Sequence, residues 1–161
     1  FASIAGDFRE LQIQGTLITQ GTQSSPVVFT AIADNTVGGT TFSGQNAVQN
    51  WRRIFFGAGS SGSVVEGALL KFGGNRNNEG AVHLAVNSEN DKAQAQIKNS
   101  SIQNSPNSAI FSSFGDISGD GVSLSQNAYG FHIQDGACPN LTNVTFGAGE
   151  TLYHPNSLCG P

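Results

Sequence analysis

Charge is what this chain has least of. Asp, Glu, Lys and Arg make up 11% of its 161 residues, where an ordinary globular protein has about a quarter. The formal net charge is −4, and with no cluster of Lys and Arg the chain lacks the footprint of a nucleic-acid binder. The one basic pair, Arg52-Arg53, reads as solvated surface. No apolar run reaches the roughly 18 residues that a membrane-spanning helix needs, so no membrane insertion is expected. Methionine is absent. The N-terminus has no charged stretch followed by an apolar one, so any signal peptide is expected to have been removed already.

Cysteine is almost as rare. Cys138 and Cys159 are the only two, and they bracket "CPNLTNVTFGAGETLYHPNSLC". A disulfide closing this C-terminal segment, 138–159, would contribute roughly 3 kcal/mol in the chain-entropy model. Two buried free thiols, or half of a metal site, are the alternatives, although no CxxC spacing supports metal. What fills the chain instead is Gly (21 residues) and small polar side chains. That texture suits a β-rich extracellular protein.

The stretch "IKNSSIQNSPNSAIF", 97–111, shows how those residues are used. Its opening pattern, apolar-x-(Asn/Gly)-x-x-apolar, recurs as "VEGALL", "ISGDGV" and "LTNVTF". The starts at 65, 97, 117 and 141 lie 32, 20 and 24 residues apart. Intervals of this size are those of one coil of a parallel β-solenoid, the longest carrying a loop insertion. The middle position must bend the chain between two strands at positive φ. Gly does so without a Cβ penalty and Asn tolerates it best among the other residues. Gly67, Asn99, Gly119 and Asn143 are therefore expected to stack as one column of corners.

Further strands follow at "GAVHLAV", "SAIFSSF" and "YGFHIQ". Alternation puts Val82, Ile110 and Phe131 on the inner face, with His83, Phe111 and His132 on the outer one. There the rings are expected to stack as a solvent-facing ladder. His83 and His132, two rungs apart, would be too distant to share a metal ion. His154 has no evident partner. Segments near 34–50 and 87–94 read as excursion loops. The whole of 1–161 reads as a single domain.

Two longer stretches, "LQIQGTLITQGTQSSPVVFTAIADNTVGG" and "NWRRIFFGAGSSGSVVEGALLKFGG", resemble bacterial right-handed parallel β-helix repeat proteins, with Arg52 and Arg53 where that family has a glycine pair. The resemblance spans roughly 10–146. It implies an all-β, right-handed parallel β-helix, here of about six to seven coils, in a secreted or cell-surface protein. Modules of adhesin-like chains are one role among such proteins, and cleavage of acidic polysaccharides is another.

Chemistry is hard to find. The eleven carboxylates are scattered without an Asp-Asp pair, and most read as solvated turn residues. "DISGDG" lacks the later Glu of a calcium loop and reads as a turn. No catalytic residue, metal ligand or cofactor is assigned. Three sequons, at Asn99, Asn140 and Asn143, do not need glycosylation to explain them, and regular Thr rows for ice binding are absent.

The ends carry the functional expectation. A solenoid's open ends present unpaired backbone groups and need covering. The 138–159 segment is expected to plug one end. At the other, Phe1, Ile4, Phe8 and Leu11 form a possible stacking interface with no visible cap. Either more β-helix precedes them, or a second copy covers them and the chain is a structural subunit stacking head to tail. A polysaccharide-binding or pectate-lyase-like module, and an adhesin module, are the competing expectations.

Overall fold

The computed structural model describes residues 9–39, 50–86, 91, 93–136, 138–148 and 150–159. Phe1, Ile4 and Phe8 of the expected stacking interface lie outside them, as do residues 40–49, 87–90 and 92 of the expected loops. The described residues form fifteen strands, β1 to β15 in chain order, arranged in three parallel sheets of five. Sheet A stacks β1 (Glu10–Ile13), β4 (Arg53–Phe56), β7 (Gly80–Ala85), β10 (Ser108–Ser113) and β13 (Tyr129–Asp135). Sheet B stacks β2 (Ile18–Gln20), β5 (Ser63–Glu66), β8 (Ala93–Lys98), β11 (Gly115–Asp120) and β14 (Asn140–Thr142). Sheet C stacks β3 (Val27–Phe29), β6 (Ala68–Lys71), β9 (Ser101–Gln103), β12 (Ser123–Ser125) and β15 (Thr145–Phe146). Each sheet takes every third strand, so each turn of the chain contributes one strand to each sheet. The described residues form a parallel β-helix of five coils, where six to seven were expected for the chain. The early coils are long because insertions consume chain between their strands.

Inward side chains stack in columns along the axis. Leu11, Ile54, Val82, Ile110 and Phe131 form one through the register of sheet A. Phe29, Leu70, Ile102, Leu124 and Phe146 form another in sheet C. The central members are wholly buried and build one continuous core. Stacking like on like across a spacing of about 4.8 Å lets each apolar side chain bury against its equivalents above and below.

The corner between sheets B and C is a column of Gly21, Gly67, Asn99, Gly121 and Asn143. Its backbone hydrogen bonds continue the ladder around the bend. Gly21 N–H donates to Glu66 O at 3.1 Å, Gly67 N–H to Lys98 O at 3.0 Å, Asn99 N–H to Asp120 O at 2.9 Å and Gly121 N–H to Thr142 O at 3.1 Å. Gly67, Asn99, Gly121 and Asn143 all have φ between 46° and 66°. The column thus holds Gly121 where Gly119 was expected. Gly119 lies inside β11, paired with Ile97 and Leu141, and a Cβ there would run into the Ile97 carbonyl. With that correction the last intervals are both 22 residues, Asn99 to Gly121 to Asn143. Asp116 to Asp120 of "DISGDG" are accordingly strand rather than turn, with Gly121 as the bend that follows. The second excursion ends earlier than expected, because Ala93 already opens β8.

A further bend, between sheets C and A, uses Phe72, Asn104 and Gln126, also at positive φ. Phe72 N–H donates to Gln103 O and Asn104 N–H to Ser125 O. Buried polar groups near these bends are satisfied. Asn127 accepts from Ser105 N–H at 2.9 Å and donates to Ile102 O at 3.0 Å and Glu150 Oε1 at 2.8 Å, tying three coils together.

Candidate functional site

The outer face of sheet A is unlike the other outer faces. In register from β4 to β13, the outward side chains Phe55, His83, Phe111 and His132 form one ladder. His83 stacks on Phe111 with centroids 4.2 Å apart, and Phe111 meets His132 edge-on at 5.1 Å. The ladder was expected to face solvent. Instead Phe111 is 4% exposed and His132 1%, with His83 equally buried. His154, without a partner in the sequence reading, stacks on His132 at 3.9 Å and sits edge-on to Tyr129 at 4.7 Å.

Burial has left imidazole nitrogens without partners. Arg53 Nη1 donates to His83 Nε2 at 3.1 Å, which places the His83 proton on Nδ1, where it finds no acceptor. Both ring nitrogens of His132 are buried and unpartnered. Burial lowers the His83 pKa to about 2, helped by Arg53 and Arg52. It lowers His132 to about 4, helped by His154. Neither ring carries charge at neutral pH.

At the β1 end the ladder runs into ion pairs. Arg52 and Arg53, expected to be solvated, both bind Glu10 and Glu79. Arg52 Nη2 lies 2.7 Å from Glu79 Oε1 and Arg52 Nη1 3.0 Å from Glu10 Oε2. Arg53 Nε lies 2.9 Å from Glu10 Oε2 and Arg53 Nη1 3.2 Å from Glu79 Oε1. The Arg53 guanidinium also covers the Phe55 ring at 4.6 Å. Partial burial raises the Glu10 carboxyl, but hydrogen bonds from Gln12 and Arg53 outweigh it and hold the group below its ordinary range. Asp34 is similar. Burial opposes its charge, yet bonds from Lys71 (2.8 Å), Thr36 and Thr30 keep it strongly acidic. These carboxylates tie coils together and are not solvated turn residues. Among the described residues no three His, Cys, Asp or Glu side chains are grouped to hold a metal ion.

The two ends of the solenoid are the other candidate surfaces. At the start, β1, β2 and β3 each pair on one side only among the described residues. Leu11, the first member of an inward column, is 40% exposed. It borders a hollow of about 350 Å³ with Phe29, Ile32 and Trp51. At the far end Phe146, last of its inward column, is 42% exposed, beside a hollow of about 270 Å³ lined by Leu141, Leu152 and Tyr153.

That far end is half covered. Cys138 and Cys159 form a disulfide, and the chain leading to it lies along β13 as a strap. Gly130 N–H donates to Thr151 O and Phe131 N–H to Leu152 O, both at 2.9 Å. In return His154 N–H donates to Phe131 O at 2.8 Å and Leu158 N–H to Ile133 O at 2.7 Å. Residues 151–158 thus add a sixth level to sheet A, with Tyr153 bridged to Phe131. Sheets B and C end at β14 and β15, one level lower.

One more concavity follows the sheet B–C corner, a groove of about 600 Å³ bordered by Thr22, Gln23, Glu66, Ser101 and Ser123. No family model matches this chain, and no curated protein or solved structure matches it.

Proposed function

We propose that this protein is an extracellular structural subunit whose solenoids stack head to tail into a filament or surface layer. The observation that carries the reading is the exposure of inward-facing core residues at both ends. Leu11 and Phe146 occupy positions whose equivalents one rung inward, Ile54 and Leu124, are wholly buried. An end surface of this kind has two needs, burial of its apolar column tops and partners for its strand edges. A second copy supplies both at once, because only another parallel coil of the same cross-section matches three strand edges together. Contacts between unlike ends do not close on themselves, so the product is a fibre. The disulfide and the motif likeness to secreted and surface β-helix repeat proteins support an extracellular setting.

The test is sedimentation velocity over a wide concentration range, at about pH 7.5 and at about pH 4.5. Concentration-dependent species larger than the 16.7 kDa monomer are expected, and Leu11→Lys or Phe146→Lys should remove them. A monomer at every concentration and both pH values overturns the reading. The groove along the sheet B–C corner favours a second reading, polysaccharide binding, since hydroxyl, amide and carboxylate side chains border it. Retention of the protein on uncharged polysaccharides, whose hydroxyls can donate to the Glu66 carboxylate, weakened in Glu66→Ala, would favour it.

A further inference from the structure

The strap creates a mismatch with consequences for stacking. With residues 151–158 in place, sheet A stands one level beyond sheets B and C. An incoming β1 would meet the strap, which would hold β2 and β3 of that copy a rung away from β14 and β15. With the strap lifted, β1, β2 and β3 of the incoming copy meet β13, β14 and β15 in one continuous turn. The strap occupies the place the next subunit needs.

The strap is fastened by rings, with His154 on both His132 and Tyr129 and with Tyr153 on Phe131, and its far end is tethered by Cys159 to Cys138. His132 has two buried nitrogens and no acceptor for either. An imidazolium there would have two N–H donors with nowhere to point, pressed against a second imidazole at 3.9 Å. Lifting the strap separates the two rings and brings water to His132. Among the described residues, the groups facing His132 offer no compensating carboxylate. On the strap side it meets His154, which is itself edge-on to Tyr129 of β13. Along the ladder come Phe111, then His83, with Arg53 and Arg52 beyond it, both engaged by Glu10 and Glu79.

We propose that the 151–158 strap is an acid-released cover, and that the sheet A edge it frees is the docking edge for β1 of a second copy. The docking half rests on the head-to-tail reading above; the release of the strap does not. The sign is that of a base disfavoured in the closed state. Opening is promoted as pH falls from the ordinary His range near 6.5 toward the closed-state value of about 4. At about pH 4.5 a single such group shifts the strap toward the open form by at most roughly 80-fold.

Two measurements on the full chain separate the parts. The first is backbone amide NMR of Phe131, His154 and Leu158 against Ile97 in sheet B, titrated from about pH 7.5 to about pH 4.5. The strap signals should shift while Ile97 holds, and His132→Phe, which keeps the ring stack without a titrating group, should abolish the change. If His132→Phe does not fold, His154→Phe, which removes the facing imidazole and so eases protonation of His132 under the closed strap, should weaken the transition and move it to lower pH. Strap signals that stay fixed, that move only together with Ile97, or that move identically in the variant overturn the proposal. The second is sedimentation at both pH values. Assembly should begin at a concentration at least tenfold lower in acid, and His132→Phe, with almost the same net charge, should lose that difference. Equal assembly at both pH values overturns the docking half and leaves the head-to-tail reading standing. A strap that opens without any assembly sinks the head-to-tail reading and the docking half with it, and leaves only the release of the strap standing.

Discussion

Strands β7 and β8 lie in the same coil, and each has six residues. Inside, both present small and aliphatic side chains to the core, Val82 and Leu84 from one, Ala95 and Ile97 from the other. Outside they diverge. β8 turns Gln94, Gln96 and Lys98 outward, the two glutamines exposed, in the alternation of a half-solvated strand. β7 turns Ala81, His83 and Ala85 outward, and the first two are as buried as its inner residues. Sheet B is therefore a one-sided sheet, whereas sheet A is buried on both faces at β7, β10 and β13, where its outer ladder behaves as a second core. Two-sided burial is usual for parallel strands. It is sheet B that has room to interact with water or a solvated partner.

The contrast can be broken by substitution. Phe111→Ala on the outer face of sheet A should cost about 3–5 kcal/mol, the range for a core aromatic, read from urea denaturation. A loss below about 1 kcal/mol would return the ladder to the surface. Acid should act on the same face. His83 and His132 have pKa values near 2 and 4 in the folded chain, so the unfolded chain takes up protons first. Their contribution is complete above about pH 6.5 and is lost as pH falls through that value toward the folded ones. Denaturation midpoints should fall steadily across that window, and by less in His83→Phe; a midpoint unchanged down to about pH 4.5 contradicts the burial of both rings.

Smaller effects sharpen the comparison. Asn99→Ala places a Cβ residue without local polar compensation at φ 46° and should cost roughly 1–2 kcal/mol, while Asn99→Gly should cost less. Equal losses would mean that φ is not what selects Asn there. Gln96→Ala, on the exposed face of β8, should stay within about 0.5 kcal/mol of the parent.

Much of this architecture was readable from the chain, and the misreadings have physical causes. Gly67, Asn99 and Asn143 announce the sheet B–C corner because few other residues accept positive φ. Gly119 was placed there in error, and Gly121 is the true member. Strand side chains repeat every two residues, so a slip of two leaves every side chain on its proper face, and the apolar pattern cannot detect it. The other bend was illegible because Phe72 and Gln126 carry no signal for positive φ. The ladder composition of sheet A was visible in His83, Phe111 and His132, but not its burial. The partners of Arg53, Glu10 and His83, lie 43 and 30 residues away and meet it only once the coils are in register. His154 is the same case, 22 residues beyond His132 and directly above it. Five coils looked like six or seven although the excursions near 34–50 and 87–94 were read as loops, because insertions lengthen the early coils beyond the 20 to 24 residues of the later intervals.

Electron microscopy of the purified protein at high concentration and mildly acidic pH tests head-to-tail stacking most directly. Rods of constant width are expected, with an axial repeat near 24 Å, which is five rungs at about 4.8 Å each. Discrete single particles under every condition, or rods whose repeat does not match five rungs, would contradict it.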